Sequence, residues 1–467
     1  MDATVVIGVD SSTQSTKALA VRVDTGEVVA RARAPHAVSG GGRRETHPEV
    51  WWQALTGTLA ELRAQVAEAP GAISVGGQQH GLVTLDGAGA VLRPAILWND
   101  VRSAPHAEAL VTRFGAKHWA DRFGSVPGAA FTVAKWAWLR ENDPAVAAAT
   151  ARVRLPHDFL TERLTGQAVT DRGDASGTGW WASDTETYDD DVLTAVDLDP
   201  ALLPRVLAPG EAAGTTLPGL PLPAGIPVAS GTGDNAAAAL GLGLAPGRAA
   251  LSLGTSGTVY TPSVNRPADP TGTVAGFAGA HGGWLPLACT LNCTQAVDKV
   301  AQLLSITREA VEPNTAVTLL PFLDGERTPN LPHASGTLSG LRHDTTAGQI
   351  LQAAYDGATY TLLAALDLVL AVDGRPSDEP LLLIGGGARG TAWRQTVRRL
   401  SGRAVQIPDA DDLVALGAAA QAASLLTGES PAAIATRWGT AAGPVYDPIE
   451  RDEAALAGLA AALDATA

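Results

Sequence analysis

A pattern of strand, hydroxyl-rich turn and returning strand occurs twice in the chain, and it restricts the fold more than any other feature. In the first half, an apolar run ending at Asp10 leads into the Ser- and Thr-rich residues 11–17, and an apolar stretch follows. In the second half, the apolar residues 249–253 lead into residues 254–258, and the chain returns again. Runs of this kind are typical of buried strands. The repetition therefore predicts two halves of common design.

Both turns have the composition of a phosphate-binding loop. Hydroxyl groups and successive backbone N–H groups can hold phosphate oxygens. Two such turns facing each other across a cleft would bind a polyphosphate from two sides. Asp10, at the end of the first strand, suits a phosphate or metal role but equally suits a residue that caps the turn, and Lys17 is also compatible with an ordinary surface position.

The stretch Gly231-Thr232-Gly233-Asp234-Asn235 lies between an apolar approach and an alanine run. This order indicates a strand, a glycine turn and a helix start. Glycine lets the backbone approach a ligand closely, and a helix N-terminus presents free N–H groups. Asp234 is a candidate general base there. The alternative is a plain turn, because Gly, Asp and Asn are common turn residues.

Three predicted strands of the first half end in polar residues, at Asp10, at Gln79-His80 and at Asn99-Asp100. In open α/β sheets, ligands bind beyond the carboxyl ends of strands. His80 is flanked by glycines, which favours a functional histidine over core filler, although a loop histidine with satisfied hydrogen bonds remains the alternative. The polar and aromatic residues 171–181 suit either a sugar site or a loop around a packed tryptophan pair.

One further segment connects the two halves, and another lies in the second half. Residues 200–227 contain seven prolines, which few regular elements tolerate, and they are interpreted as the connection between the halves. Gly385-Gly386-Gly387 follows a predicted buried strand and precedes a helix, so a planar ligand can lie against its backbone. The spacing differs from the dinucleotide-binding fingerprint.

Composition excludes several classes of function. The 467 residues carry a net charge of −15, which disfavours a protein that binds nucleic acid or an acidic membrane. No apolar run approaches membrane-spanning length, and no signal segment is seen at the N-terminus. Cys289 and Cys293 have no companions at metal-binding spacing and are interpreted as free thiols in a reducing cytoplasm.

Seven segments, taken in order, resemble the FGGY family of carbohydrate kinases. They are Val9-Asp10 with its Ser/Thr turn, Gln79-His80-Gly81, Leu97-Trp98-Asn99-Asp100-Val101-Arg102, Gly233-Asp234-Asn235, Leu253-Gly254-Thr255-Ser256-Gly257, Gly325-Glu326-Arg327-Thr328-Pro329 and Ile384-Gly385-Gly386-Gly387-Ala388-Arg389. Each motif is weak alone, but the seven are distributed over essentially the whole chain in the order of the family.

The resemblance implies an α/β fold of two ribonuclease-H-like domains, as in actin and hexokinase, each with a mixed five-stranded sheet flanked by helices. The expected domains are residues 1–229, on the sugar side, and residues 230–467, on the nucleotide side, with a cleft between them. The family also implies ATP and Mg²⁺ as cofactors, a small-molecule sugar as partner and a homodimer.

The resemblance also implies roles for individual residues. Asp234 matches the catalytic base, and Asp10 matches the second catalytic residue, close to Mg²⁺ and the phosphates. The residues that match the ATP site are Thr13, Lys17, Gly254, Thr255, Ser256, Gly386, Gly387 and Ala388. The residues that match the sugar site are Gln79, His80, Trp98, Asn99, Asp100 and Asn235.

Within the family, Trp98-Asn99-Asp100, Leu155-Pro156-His157-Asp158 and Asp174-Ala175-Ser176-Gly177-Thr178 favour the members that phosphorylate D-xylulose at its C5 hydroxyl. One departure leaves the sugar open, because those members commonly have Met-His where this chain has Gln79-His80. The alternatives are a sister kinase for ribulose, L-xylulose, another ketose or a polyol such as glycerol, an actin- or chaperone-like ATPase, and a sugar-sensing pseudokinase. The sugar-side motifs argue against the ATPase, and the presence of both aspartates argues against the pseudokinase.

Overall fold

The computed structural model describes residues 4–36, 43–280, 282–313, 316–374 and 377–466. The strands of its first half are β1 (Val5–Ser11), β2 (Ser15–Arg22), β3 (Val28–Pro35), β4 (Glu45–Thr46), β5 (Ile73–Gly77), β6 (Val83–Leu85), β7 (Ala95–Ile96), β8 (Arg152–Arg154), β9 (Val169–Asp171), β10 (Trp181–Ala182), β11 (Thr187–Tyr188), β12 (Arg205–Leu207), β13 (Ala212–Thr215), β14 (Pro227–Ala229) and β15 (Thr232–Gly233). The strands of its second half are β16 (Ala250–Leu253), β17 (Gly257–Tyr260), β18 (Ala275–Ala278), β19 (Trp284–Thr290), β20 (Thr318–Leu320), β21 (Thr337–Ser339), β22 (Leu381–Ile384), β23 (Val405–Gln406) and β24 (Val445–Tyr446).

The α-helices are α1 (Pro48–Gln65), α2 (Ala104–Phe114), α3 (Ala116–Phe123), α4 (Thr132–Asn142), α5 (Pro144–Ala149), α6 (Pro156–Thr165), α7 (Arg172–Ala175), α8 (Asp190–Ala195), α9 (Asp234–Gly241), α10 (Thr294–Leu304), α11 (Ala347–Ala371), α12 (Thr391–Ser401), α13 (Leu413–Thr427), α14 (Pro431–Trp438) and α15 (Glu453–Asp464). A 3₁₀ helix spans Pro200–Leu202. In the described part of the chain, none of these helices combines the length and apolarity needed to cross a membrane.

Two large mixed sheets share one design. The first contains the order β3-β2-β1-β5-β14, and the second contains the order β19-β17-β16-β22-β23. In each, the first three strands pair antiparallel and the last three pair parallel. The predicted two-domain α/β fold is confirmed, and the repeat seen in the sequence corresponds to a repeated sheet.

The predicted number of strands was too small. Among the described residues each large sheet has seven strands, because β13 and β15 join the first, and β18 and β24 join the second. These additions are two to four residues long. Such short runs have no periodicity that distinguishes a strand from a loop.

The first turn is also shorter than the sequence suggested. Residues 11–17 were interpreted as a turn, yet β1 and β2 already pair through Ser11↔Thr16 and Asp10↔Lys17. Thr16 is buried, and threonine, being β-branched, is well suited to a strand. The connection is therefore only residues 12–14, and it places Lys17 beside Asp10.

Alternating residues of the first sheet bury both of its faces. Val5, Ile7 and Val9 pack in one core with the apolar face of α1, whereas Val6 and Leu19 pack in another with α13. The second sheet packs with α11 in a further core.

Helix α9 crosses α13 at backbone contact. A methyl group at Gly417 of α13 would lie 1.8 Å from the carbonyl oxygen of Ala237, and one at Gly241 of α9 would lie 2.0 Å from that of Leu413. On the other side of α13, a methyl group at Gly8 of β1 would lie 1.9 Å from the carbonyl oxygen of Ala415. Only glycine permits this approach, which fixes α9 against α13 and α13 against β1.

Candidate active site

A cleft of about 650 Å³ opens at the carboxyl ends of the central strands of both sheets. Residues from both halves of the chain line it. Six of the predicted site residues are among them, namely Asp10, Lys17, Asp234, Asn235, Gly386 and Ala388. The structure therefore brings both predicted catalytic aspartates into one cleft with part of the predicted nucleotide site.

Asp234 is the first residue of α9, immediately after β15. Its side chain is half-buried at the cleft, and its Oδ1 accepts hydrogen bonds from Asn235 N (2.8 Å) and Asn235 Nδ2 (3.0 Å). Burial raises the pKa of Asp234 to about 7, and the carboxylate of Asp174 acts in the same direction. A carboxylate with a pKa near neutrality is suited to accept a proton from a hydroxyl group.

Asp10, Lys17 and Asp412 form an ion-pair group on one wall of the cleft. Lys17 Nζ lies 2.9 Å from Asp412 Oδ1 and 3.8 Å from Asp10 Oδ2. Burial raises the pKa of Asp10 to about 7, although Lys17 opposes the shift. The other oxygen, Asp10 Oδ1, is buried and has no hydrogen-bond partner in the described chain.

That unpaired oxygen fits a magnesium ion held mainly by phosphates. In the described residues, no three His, Cys, Asp or Glu side chains are arranged to hold a metal by themselves. Mg²⁺ is usually bound by one or two carboxylates together with substrate phosphates and water. Asp10 and the neighbouring Asp412 supply oxygen ligands of that chemistry.

His80 has a positive φ of 64° and is almost fully buried. Its ring stacks on Phe131 at 5.3 Å, and its Nδ1 lies 2.8 Å from the carbonyl oxygen of Gly177. Burial lowers the pKa of His80 to about 3, so the ring is neutral. Since a carbonyl oxygen only accepts, Nδ1 carries the proton and Nε2 is left as an acceptor.

Gln79 connects the sugar-side motif to Asp234. Gln79 Oε1 accepts a hydrogen bond of 3.1 Å from Asn235 Nδ2, which also donates to Asp234 Oδ1. The side chain lies flat on Gly233, where a methyl group would come within 2.5 Å of Gln79 Cγ.

The predicted sugar-side residues Trp98, Asn99 and Asp100 have different surroundings. The Trp98 indole is 41 % exposed and donates to Thr13 Oγ1 at 3.1 Å. Asn99 Oδ1 is buried without a partner in the described chain, as expected of a group that awaits a ligand. The Asp100 carboxylate is already engaged by Arg44 N and by the Arg102 guanidinium, so this geometry favours support of the loop over sugar contact.

The predicted nucleotide loops are neighbours in the second sheet. Residues 254–256 follow β16 and residues 385–387 follow β22, and these strands pair in parallel. Gly387 N donates to Leu253 O, and Gly254 O accepts from Thr294 N and Oγ1. Thr255 is exposed and Ser256 is half-buried. Of the two loops, only Gly385 and Gly386 line the cleft itself, together with Ala388.

The 171–181 segment, for which two interpretations were left open, lies behind the cleft. Asp174 is fully buried, and Trp180 and Trp181 both belong to a hydrophobic core. The tryptophans are therefore core residues, and the segment reaches the site only indirectly, through Asp174 and Gly177.

Sequence reasoning missed three residues. Tyr260 lines the cleft, and its buried hydroxyl has no partner in the described chain. Asp412 also lines the cleft, and it is the last residue of a short acidic run that precedes α13, which was the available signal. Lys135 is fully buried in α4 and donates to the carbonyl of Ala130, and burial lowers its pKa to about 7. Nothing in the sequence around Lys135 indicated that this lysine is buried.

Residues 5–241 match the N-terminal domain of the FGGY family of carbohydrate kinases, and residues 249–426 match the C-terminal domain of the same family. The chain belongs to the FGGY family of carbohydrate kinases. The chain is therefore a carbohydrate kinase, and membership of this family implies the use of ATP. The resemblance inferred from the seven motifs is confirmed.

Similarity within the FGGY family extends over nearly the full chain. A xylulose kinase of Streptomyces coelicolor is 69 % identical over 454 residues, which are 97 % of this chain and 94 % of the relative. A xylulose kinase of Streptomyces rubiginosus is 68 % identical over 98 % of this chain and 95 % of the relative. Among solved structures, a xylulose kinase of Bifidobacterium adolescentis has 35 % identity and a TM-score of 0.85, with 99 % of both chains covered.

Proposed function

We propose that this kinase transfers the γ-phosphoryl group of ATP to the C5 hydroxyl of D-xylulose, giving D-xylulose 5-phosphate and ADP. The observation that carries the sugar assignment is the 69 % identity, over 97 % of the chain, to a protein named xylulose kinase. The position of Asp234 in the cleft supports the assignment of the reaction and of the base.

In the proposed reaction, Asp234 accepts the proton of the C5 hydroxyl while that oxygen forms a bond to the γ-phosphorus. The bond from phosphorus to the bridging oxygen of ADP breaks, and ADP keeps that electron pair. Phosphoryl transfer depends mainly on positioning and on stabilisation of charge. Asn235 donates to Asp234 Oδ1 through its backbone N–H and through its side-chain Nδ2, and these two hydrogen bonds hold the carboxylate in a fixed orientation.

The proposed nucleotide site combines the predicted groups of both halves. Thr13 and Lys17 belong to the first turn, Gly254, Thr255 and Ser256 to the second, and Gly386, Gly387 and Ala388 to the adenosine side. Asp10 and Asp412 would hold Mg²⁺, which would neutralise charge on the phosphates when bound. Lys17, Arg31 and Arg389 contribute positive charge to a cleft that also contains several carboxylates.

On the sugar side, the proposed contacts are made by neutral hydrogen-bonding groups. Nε2 of His80 accepts from a sugar hydroxyl, and Asn99 Oδ1 accepts from another. Gln79 and Asn235 border the same region, and Trp98 offers an apolar face at its edge. Asp100 supports this loop through Arg102.

Other features of the enzyme stay predictions. They are a boundary between domains after residue 229, a homodimer and a cytoplasmic location.

The test is ADP release with MgATP and a panel of D-xylulose, L-xylulose, D-ribulose, L-ribulose, glycerol and no sugar. We expect a clear preference for D-xylulose. A preference for another sugar would keep the kinase and replace the substrate, and attention would move to the pocket around Gln79. ADP release that does not depend on sugar would replace the proposal by an ATPase.

A further inference from the structure

A cluster of one imidazole and three carboxylates is buried behind the cleft. His157 Nε2 lies 3.1 Å from Asp174 Oδ2, 3.3 Å from Asp171 Oδ1 and 3.5 Å from Asp158 Oδ1. None of the four side chains is more than 5 % exposed. They come from three elements, since α6 carries His157 and Asp158, β9 ends at Asp171, and α7 carries Asp174. Carboxylates buried this deeply need a cation or hydrogen-bond donors.

His157 is the cation of this cluster. Burial alone would lower the pKa of His157, but the carboxylates of Asp158, Asp171 and Asp174 together raise it well above its usual range. Burial also raises the pKa of Asp158 and that of Asp174, the latter to about 6. Arg154 is another cation close to Asp158, but its guanidinium is paired with Glu162. Protonated His157 therefore balances charge that no solvent reaches.

The cluster touches the segment that carries Asp234. Thr232 Oγ1 donates to Asp171 Oδ2 at 2.7 Å, two residues before Asp234. A methyl group at Gly231 would lie 3.1 Å from His157 Nδ1, so the backbone there packs directly on the imidazole. On its other side, the same segment pairs with β5 through Thr232↔Gly76.

We propose that His157 is a positioning residue for phosphoryl transfer. Its positive charge keeps Asp171 and Asp174 together, Asp171 in turn holds Thr232, and this chain of contacts fixes the carboxylate of Asp234 at the start of α9. His157 acts only through these neighbours and contacts neither sugar nor nucleotide. The inference rests on the proposed function, in which Asp234 is the base.

Three variants test the proposal. His157→Gln replaces the imidazolium by a neutral amide that can still donate a hydrogen bond. His157→Lys keeps a cation, and Thr232→Val removes only the hydroxyl that Asp171 binds. Thr359→Val is the matched control, because Thr359 is equally buried, lies in α11 and has no side-chain partner in the described chain. The measurements are kcat and KM for D-xylulose and for ATP, the midpoint of thermal unfolding, and amide hydrogen exchange at residues 232–235 without ligands.

We expect His157→Gln to lower kcat by about 100-fold, the loss typical of a misplaced catalytic group, with both KM values little changed. His157→Lys should recover most of that kcat, Thr232→Val should lose part of it, and the control should lose none. Exchange at residues 232–235 should be faster in His157→Gln than in the wild type.

Two outcomes would overturn the proposal. One is a normal kcat in His157→Gln or, if that protein does not fold, in Thr232→Val. The other is an equal loss in His157→Gln and His157→Lys when both unfold at the wild-type midpoint. Failure of the proposed function would be seen separately, because the wild-type enzyme would then not phosphorylate D-xylulose. In that case the exchange rates still decide whether His157 orders the segment.

Discussion

Replacement of Gln79 by methionine is expected to weaken catalysis modestly without changing the preferred sugar. Gln79 is 6 % exposed and lies flat on Gly233, a place that the similar volume of methionine also fits. The change removes the acceptor of the 3.1 Å hydrogen bond from Asn235 Nδ2, while the bond from Asn235 to Asp234 remains. The packing is thus kept, and one hydrogen bond is lost.

The size of the effect follows from that single bond. Asn235 is half-buried at the cleft, so water can take the place of the lost acceptor. A hydrogen bond of this kind contributes about 1 kcal/mol, which corresponds to a factor of about 5 in a rate or affinity. We therefore expect kcat/KM for D-xylulose to fall about fivefold in Gln79→Met, because Asn235 orients Asp234 less tightly.

The assay is ADP release across the sugar panel, with Gln395→Met as the control for the same change at an exposed glutamine of α12. An unchanged kcat/KM would show that the bond to Asn235 does not matter. A loss of about 100-fold or more, or a new preferred sugar, would refute the reasoning, because the loss of one hydrogen bond to Asn235 accounts for neither result.

The other predictions concern charge and hydrogen bonding in and near the cleft. Asp234→Ala should reduce sugar phosphorylation by about 1,000-fold and leave sugar binding and the unfolding midpoint intact, and near-normal turnover would remove Asp234 as the base. His80→Ala should raise the KM for the sugar far more than the KM for ATP, whereas equal increases would indicate a structural histidine. Protonation of Asp234 removes the proton acceptor, and burial raises the pKa of Asp234 to about 7. The value of kcat/KM should therefore fall about tenfold per pH unit below about pH 7, and constant activity down to pH 5 would contradict this. Burial lowers the pKa of Lys135 from its usual 10.5 to about 7, so between these values the unfolded chain holds a proton that the folded chain lacks. The free energy of unfolding, measured by urea denaturation, should then rise with pH across that window in the wild type and rise less in Lys135→Met. Identical dependence of the two proteins on pH would show that Lys135 is charged when folded.

The repeated sheet was predictable because its central strands are long or strongly apolar. The run ending at Asp10 and the buried stretch before Gly385 are recognised from composition alone, and both are central strands in the structure. β15 has two residues, and its pairing with β5 depends on where the chain arrives after a proline-rich connection. A local sequence pattern does not predict which strand β15 will pair with.

The site was predictable where a residue type at a strand end indicates its own chemistry. Asp10 and Asp234 were selected in that way, and the structure places both in the cleft. Lys135 and Tyr260 are different, because each lies within an ordinary helix or strand and only the fold shows what surrounds its polar atom. The carboxylates around His157 are 1 to 17 residues away in sequence, and only the packing of α6, β9 and α7 brings them together.

The glycine contacts between α9, α13 and β1 bear on any attempt to redesign this enzyme. Exchange of glycine for alanine is a standard route to a more stable protein. At Gly57 in α1, an added methyl group would have no atom of the described residues within 4 Å, and the gain would be about 1 kcal/mol. The same exchange at Gly417 would push α9 away from α13 and move the carboxylate at its first turn. Libraries that aim at new sugars should therefore vary residues 78–101 and leave Gly8, Gly241 and Gly417 untouched. Substitutions among the sugar-side residues can alter the specificity of this enzyme. Its catalysis depends on the glycine contacts between α9, α13 and β1, which tolerate no added methyl group.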